Sequence, residues 1–225
     1  MDYRELTKNE LNDLADKYWW KPIYEFPDQE FTHRLDKICS RLLYCLLRKY
    51  QPKVCLEFGT SWGGTSCVIV SALQKNGGDF KFVGFEKLEE LRLETQKHIE
   101  QKCGQKIEIF GDIIENLDKI PQELDFVFID PDWDITEDEN KQPLVDIAKW
   151  TFENIIPRVK KDGLVCIHDW SVNRELEYEG GGFPGIFYFI ALFKQNKMPL
   201  EKLFSVWDEL EYKQSSIALS FWRKI

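Results

Sequence analysis

Apolar residues change their spacing near residue 53. Before it they recur at helical intervals. Leu35, Ile38, Leu42, Leu43, Cys45, Leu46 and Leu47 predict a helix within Phe31–Tyr50, and Leu6–Lys17 has mixed helical character. Between these segments runs an aromatic stretch, Tyr18–Pro27, punctuated by Pro22 and Pro27, which reads as a loop. After residue 53, short apolar runs alternate with helical segments. The predicted strands are Val54–Phe58, Phe82–Phe85, Ile107–Phe110, Phe126–Ile129 and Leu164–Ile167. The predicted helices are Gly63–Leu73, Leu88–Gln101, a short one over Ile113–Ile120, Pro143–Lys160 and Phe183–Lys197. Two further strands, Lys202–Trp207 and Ser216–Trp222, are joined by a polar turn.

Strand–helix alternation of this kind implies right-handed crossovers and a mostly parallel sheet. The last two strands have no helix between them and pair as a hairpin, so one runs antiparallel at the sheet edge. The expected fold is α/β: a doubly wound, Rossmann-like sheet of seven strands with the last strand antiparallel, plus an N-terminal helical cap. Residues 1–50 form the cap and belong to the same domain as residues 51–225.

Composition narrows the class. With 225 residues, 43% hydrophobic and 31% charged, the chain suits one α/β domain. No apolar run approaches the roughly 18 residues that span a bilayer, and Met1–Glu5 lacks the apolar core of a signal peptide. The expectation is a cytoplasmic protein with no membrane partner. A net charge of −9 with scattered basic residues disfavours long nucleic acid as a ligand. Cys39, Cys45, Cys55, Cys67, Cys103 and Cys166 form no C-x-x-C pair and read as reduced, mostly buried small hydrophobes.

In an open parallel sheet, ligands bind beyond the carboxyl ends of the strands. The first strand runs into Glu57-Phe58-Gly59-Thr60-Ser61-Trp62-Gly63-Gly64-Thr65-Ser66. Its glycines permit a tight turn and close approach of a ligand, while amides at the helix start suit an anion. Glu57 is a charge at the end of a buried strand and needs a partner. The second strand ends in Glu86, placed to accept the ribose hydroxyls of a nucleotide-type cofactor. The third ends in Asp112, which suits an adenine edge or a helix N-cap. The fourth ends in Asp130-Pro131-Asp132-Trp133-Asp134, and the fifth in His168-Asp169-Trp170. Asp130 and Asp169, with His168 or Asp132, could bind one divalent cation; alternatively, His168 acts as a general base.

These motifs resemble the class I methyltransferases over roughly residues 31–223. Within that class the chain is similar to the small O-methyltransferases that include the catechol, caffeoyl-CoA, macrolide and sugar types. Leu56-Glu57-Phe58-Gly59-Thr60-Ser61-x-Gly63-Gly64-x-Ser66 is similar to that group's first motif. The resemblance implies S-adenosylmethionine as cofactor, bound by Glu57, Gly59, Thr60, Ser61, Gly63, Ser66, Glu86, Lys87, Asp112 and Asp130. It implies Asp130, His168 and Asp169 as the catalytic group, and the same three as ligands of Mg2+ or another divalent cation. Two departures stand out. His168-Asp169 replaces the more usual acidic or Asp-Asn pair, and no lysine follows Asp130 before Lys141.

Glu177–Gly185, with glycines at 180, 181 and 182, reads as a mobile loop that closes over substrate. Trp133, Trp170 and Phe183 are expected to line the acceptor pocket, which suits a flat or apolar small molecule bearing hydroxyls. A homodimer is compatible with the sequence. Two other readings are an N-methyltransferase acting on RNA or a nucleobase, and a catalytically silent, partner-binding relative. A nicotinamide oxidoreductase is disfavoured because the Gly59-x-x-x-Gly63-Gly64 spacing is not G-x-G-x-x-G.

Overall fold

The computed structural model describes residues 37–131, 142–169, 184–205 and 219–225. Several expectations lie outside these residues: the Leu6–Lys17 helix, the Tyr18–Pro27 loop, the triple-glycine loop, and the side chains of Asp132, Trp133, Trp170 and Phe183.

The chain falls into two compact units, Met1–Pro121 and Gln122–Ile225. The described part of the first contains α1 (Lys37–Tyr50), β1 (Val54–Phe58), α2 (Gly64–Asn76), β2 (Lys81–Phe85), α3 (Glu89–Cys103) and β3 (Ile109–Phe110). The second contains β4 (Leu124–Ile129), α4 (Gln142–Asn154), β5 (Val159–His168), α5 (Pro184–Lys194), β6 (Leu200–Ser205) and β7 (Leu219–Lys224). The seven strands form one sheet in the order β3-β2-β1-β4-β5-β7-β6. The expected α/β class and seven-stranded sheet are therefore observed. Among the described residues, no helix is long and apolar enough to cross a membrane.

In the first unit, β1 and β2 pair in parallel register, Val54 opposite Lys81 through Phe58 opposite Phe85. The apolar stripe of α1 is buried, as its spacing required: Cys39, Leu42, Leu43, Cys45, Leu46 and Leu47 are all core. Its carboxyl end is tied to that of α2, where Arg48 donates to Asn76 and Asn76 donates to the Leu47 carbonyl. Only Gly84 and Phe85 pair with β3, so that strand is shorter than its apolar run suggests. The helix expected over Ile113–Ile120 is instead a turn followed by a 3₁₀ turn at Leu117–Lys119. The reason is local. Asp112 Oδ1 accepts the Ile114 amide, the Asp112 carbonyl takes both the Asn116 amide and its Nδ2, and the backbone bonds that follow, Lys119 to Asn116 and Ile120 to Leu117, are of the tighter 3₁₀ type.

In the second unit, α4 stops at Asn154, short of the predicted Lys160. Pro157 is responsible. It lacks an N–H, disfavours α geometry at Ile156 and sits in a 3₁₀ turn, Ile156–Arg158. β5 therefore starts at Val159, earlier than predicted. It pairs with Leu124, bulges, and resumes with Leu164 opposite Phe126. A side chain at Gly163 would lie 2.8 Å from Val159 Cγ1 and 2.9 Å from the Lys160 carbonyl, so the bulge needs glycine there. The reversed strand is β7, but it is not at the edge. It pairs antiparallel with both β5 and β6, and β6 forms the edge. Burial explains the order. Leu219, Ser220, Phe221 and Trp222 are all buried, as an interior strand requires, whereas β6 carries partly exposed Glu201 and Lys202.

Candidate functional site

In the first unit, the turn after β1 is held by hydrogen bonds from three directions. Glu57, fully buried, accepts the Ser66 hydroxyl at 2.5 Å, so the charge at the strand end has the partner its burial demanded. The Gly59 and Thr60 amides both donate to the Phe85 carbonyl, at 3.0 and 3.2 Å. Glu86 Oε2 accepts the Ser61 amide at 2.8 Å, and its Oε1 accepts the Leu88 amide at 3.0 Å. Glu86 thus ties the end of β2 to the glycine turn and supports Ser61 at a positive φ of 46°.

The amides of Gly59, Thr60, Ser61 and Gly63 are engaged within the protein, Gly63 donating to the Thr60 carbonyl at 2.8 Å. None of these four amides is a spare anion donor. What the turn offers a ligand is close approach. Gly63 has φ 82°, and a Cβ there would lie 3.0 Å from Thr95 Cα and from Thr95 Cγ2.

Two contributors on α3 were not read from the sequence. Thr95 donates to the Ser61 carbonyl at 2.6 Å, and His98 Nδ1 lies 2.8 Å from the Trp62 carbonyl. Thr95 also meets Thr60 across 3.4 Å. Successive carbonyls of the turn are therefore held by one helix. The available signal was a fully buried threonine in an otherwise charged helix, which becomes visible only once burial is known. Lys87 is exposed beyond β2. Asp112 uses Oδ1 to order its own turn.

In the second unit, strand register builds a polar cluster. Ile129 pairs with Ile167, which brings the next residues, Asp130 and His168, side by side at the carboxyl ends of β4 and β5. His168 Nδ1 donates to Asp130 Oδ1 at 2.7 Å. Asp169 turns back at φ 61°, and its Oδ2 lies 3.4 Å from the same nitrogen. Asp and Asn tolerate this left-handed conformation better than other side chains. The cluster is half-sheltered, with 14% of the His168 side chain, 16% of Asp169 and 29% of Asp130 exposed.

Opposing forces act on the imidazole. Burial favours its neutral form. The Asp130 and Asp169 carboxylates act against this and hold the pKa up to about 10. Nε2 is buried with no hydrogen-bond partner among the described residues, which also penalises a second N–H. Together the two carboxylates outweigh burial, so the protonated ring is favoured at neutral pH.

Asp130, His168 and Asp169 each offer a ligand atom, and these atoms lie within 4.8 Å of one another. Two carboxylates and an imidazole form a donor set that divalent transition metals accept readily; magnesium prefers oxygen alone. The residues present fit a divalent cation.

The fold is shared with solved methyltransferase structures. An O-methyltransferase from Bacillus cereus, in complex with SAH, is 15% identical with a TM-score of 0.62, over 98% of this chain and 93% of that one. The O-methyltransferase TomG from Streptomyces achromogenes, in complex with SAM, is 14% identical with a TM-score of 0.64, over 95% and 88%. The SAH-bound methyltransferase PaMTH1 from Podospora anserina is 12% identical with a TM-score of 0.58, over 95% and 88%. At these identities the likeness establishes the fold. No curated protein matches the sequence significantly. A family model described as a methyltransferase domain matches residues 56–170, from within β1 past the His168-Asp169 tip, and a match over that half of the chain makes this protein a member of the methyltransferase-domain family.

Proposed function

We propose that the protein transfers the methyl group of S-adenosylmethionine to a hydroxyl of a small-molecule acceptor, with a divalent cation held by Asp130, His168 and Asp169. Family membership supports the transferase class, and the solved neighbours bound to SAM or SAH support the cofactor. The observation that carries the oxygen-directed reading is the carboxylate–imidazole–carboxylate cluster at the ends of β4 and β5.

The roles follow from the residues. Glu86 spends one lone pair of each oxygen on a backbone amide and keeps acceptor capacity for the ribose hydroxyls. Asp112 orders its turn with Oδ1 and keeps its second oxygen for the adenine edge. Gly59 and Gly63 let the methionine part approach the backbone. The transfer is an in-line displacement: an acceptor oxygen forms the new C–O bond as the C–S bond breaks, leaving a neutral thioether, and the acceptor's proton must leave. A divalent cation in the cluster supplies the Lewis acidity that lowers the acceptor hydroxyl's pKa. Ligation requires a neutral imidazole, so a cation held there would have to displace the proton that the neighbouring carboxylates favour. The acceptor lining assigned to Trp133, Trp170 and Phe183, and the assignment of residues 51–225 to the transferase with 1–50 as its cap, rest on the sequence alone.

The test is calorimetric titration with S-adenosylhomocysteine, in manganese or magnesium and again in EDTA. Acceptor screening over hydroxylated small molecules follows. Micromolar binding lost in Glu86→Ala supports the cofactor assignment. Metal-dependent turnover lost in Asp130→Ala supports the rest. Absence of cofactor binding in every buffer overturns the enzyme reading and favours a partner-binding relative. Salt-sensitive tRNA binding favours the nucleic-acid reading, against which the net charge of −9 argues.

A further inference from the structure

Two residues on one face of α3 hold consecutive carbonyls of the turn after β1. Thr95 donates to the Ser61 carbonyl at 2.6 Å, and His98 Nδ1 lies 2.8 Å from the Trp62 carbonyl. A carbonyl can only accept, so Nδ1 carries the hydrogen of that contact and donates it. The other ring nitrogen, Nε2, faces Glu94 Oε2 at 3.8 Å, and Lys97 holds the same carboxylate oxygen at 3.2 Å. The ring thus turns one nitrogen to the turn and the other to its own helix. With 13% of the His98 side chain exposed, water competes little for the Trp62 carbonyl.

The backbone needs holding at this point. Ser61 and Gly63 have φ of 46° and 82°, so Trp62 stands between two left-handed residues, one of which is not glycine. Such conformations persist where surrounding contacts over-determine them. Ser61 is fixed at its amide by Glu86 and at its carbonyl by Thr95. His98 fixes the next peptide plane, Trp62–Gly63, whose amide donates to the Thr60 carbonyl. Gly63 is also the N-cap of α2, so this plane joins the turn to the helix that carries Ser66 and its bond to Glu57.

We propose that His98 is a positioning residue for the cofactor: through the Trp62 carbonyl it sets the last peptide plane of the glycine turn, and with it the fit of the turn to the methionine half of S-adenosylmethionine. The proposal rests on the reading that this turn receives the cofactor. His98 touches no reacting atom in this role. It acts through main chain that lies thirty-six residues away in sequence, and it acts on the amino-acid half of the ligand, whereas Glu86 serves the ribose.

The experiment measures the binding of S-adenosylhomocysteine and of 5′-methylthioadenosine, which lacks the amino-acid carboxylate and amine, by calorimetry on full-length variants. His98→Leu removes the donor. His98→Asn restores an N–H near the position of Nδ1, and His98→Gln places one near Nε2 instead. S-adenosylhomocysteine affinity is expected to fall about 3- to 10-fold in the leucine and glutamine variants, the scale of one lost hydrogen bond, and to recover most of that in the asparagine variant. Affinity for 5′-methylthioadenosine should change much less, which loss of overall stability would not produce. Should the leucine variant fail to fold, the asparagine–glutamine pair decides. Wild-type affinity in the glutamine variant, an asparagine variant as weak as the glutamine one, or equal losses for both ligands would overturn the proposal. No binding of S-adenosylhomocysteine by the wild type would overturn the cofactor reading itself, and the proposal with it.

Discussion

The Asp130 carboxylate accepts a hydrogen bond from His168 Nδ1 across the β4–β5 pair, at 2.7 Å. Thirty-eight residues separate the two in sequence, and parallel register alone makes them neighbours. Asp169 adds a second carboxylate at 3.4 Å from the same nitrogen. The cluster sets two acidic groups around one basic one, so it favours positive charge: the protonated imidazole, or, under the proposed function, a divalent cation.

Asp130→Asn removes half of that demand while conserving shape. Its affinity for manganese should fall by at least ~10-fold, on the scale by which even residues supporting metal ligands act. Turnover should fall with it while S-adenosylhomocysteine affinity stays near wild type. Parallel metal and cofactor titrations check this, and unchanged metal affinity would sink the cation assignment.

The raised pKa of His168 makes a pH prediction for metal-free protein. Its ordinary value is 6.5 and its folded value about 10. Because the folded value is the higher one, the ring's contribution to stability is fully present below pH 6.5 and is lost as pH rises toward 10. In EDTA, wild type should exceed His168→Gln most at pH 6, with the gap narrowing through pH 8 to 10. Urea unfolding across that range measures the gap. A gap that widens with pH would mean the ring is neutral in the folded state.

Ser66→Ala deprives the buried Glu57 of its hydroxyl donor. The expected loss of stability is about 1–3 kcal/mol, the cost of a buried charged group that loses a hydrogen bond. Because Glu57 lies at the start of the glycine turn, cofactor affinity should fall as well. Thermal unfolding with and without S-adenosylhomocysteine separates the two effects.

Gly63→Ala and Thr95→Val probe the same turn from opposite sides. Alanine at φ 82° would be strained by about 1–2 kcal/mol and would press on Thr95. Valine at position 95 keeps the volume but loses the donor to the Ser61 carbonyl. Thr95→Val should weaken S-adenosylhomocysteine binding, and Thr95→Ser should restore much of it. Equal binding by the valine and serine variants would mean that the hydroxyl does not position the turn.

Much of the site was legible because it sits where apolar runs stop. Glu57, Glu86, Asp112, Asp130 and His168-Asp169 each stand at or just past a strand's carboxyl end, and strand ends are local features. The burial of Glu57 and the tie between Glu86 and Ser61 add detail to positions already marked. Thr95 and His98 were not legible. Their carbonyl partners lie more than thirty residues upstream, and a charged helix gives no hint of which face meets the turn. Pro157 was visible in the chain, yet its effect was missed because the apolar spacing continues past it.

Local pattern alone determined most element types, the alternation that makes a mostly parallel sheet, and the acidic residues at or just past the tips of β1 to β5. These depend on residues within one turn or one pleat of each other. Tertiary structure decided the rest. It set β7 between β5 and β6, since only a strand buried along most of its length belongs in the interior. It also chose the register that brings Asp130 against His168 and so raised the histidine's pKa. A pKa follows from the charges around a group in space, and Asp130, 38 residues before His168, becomes one of them only through the β4–β5 register.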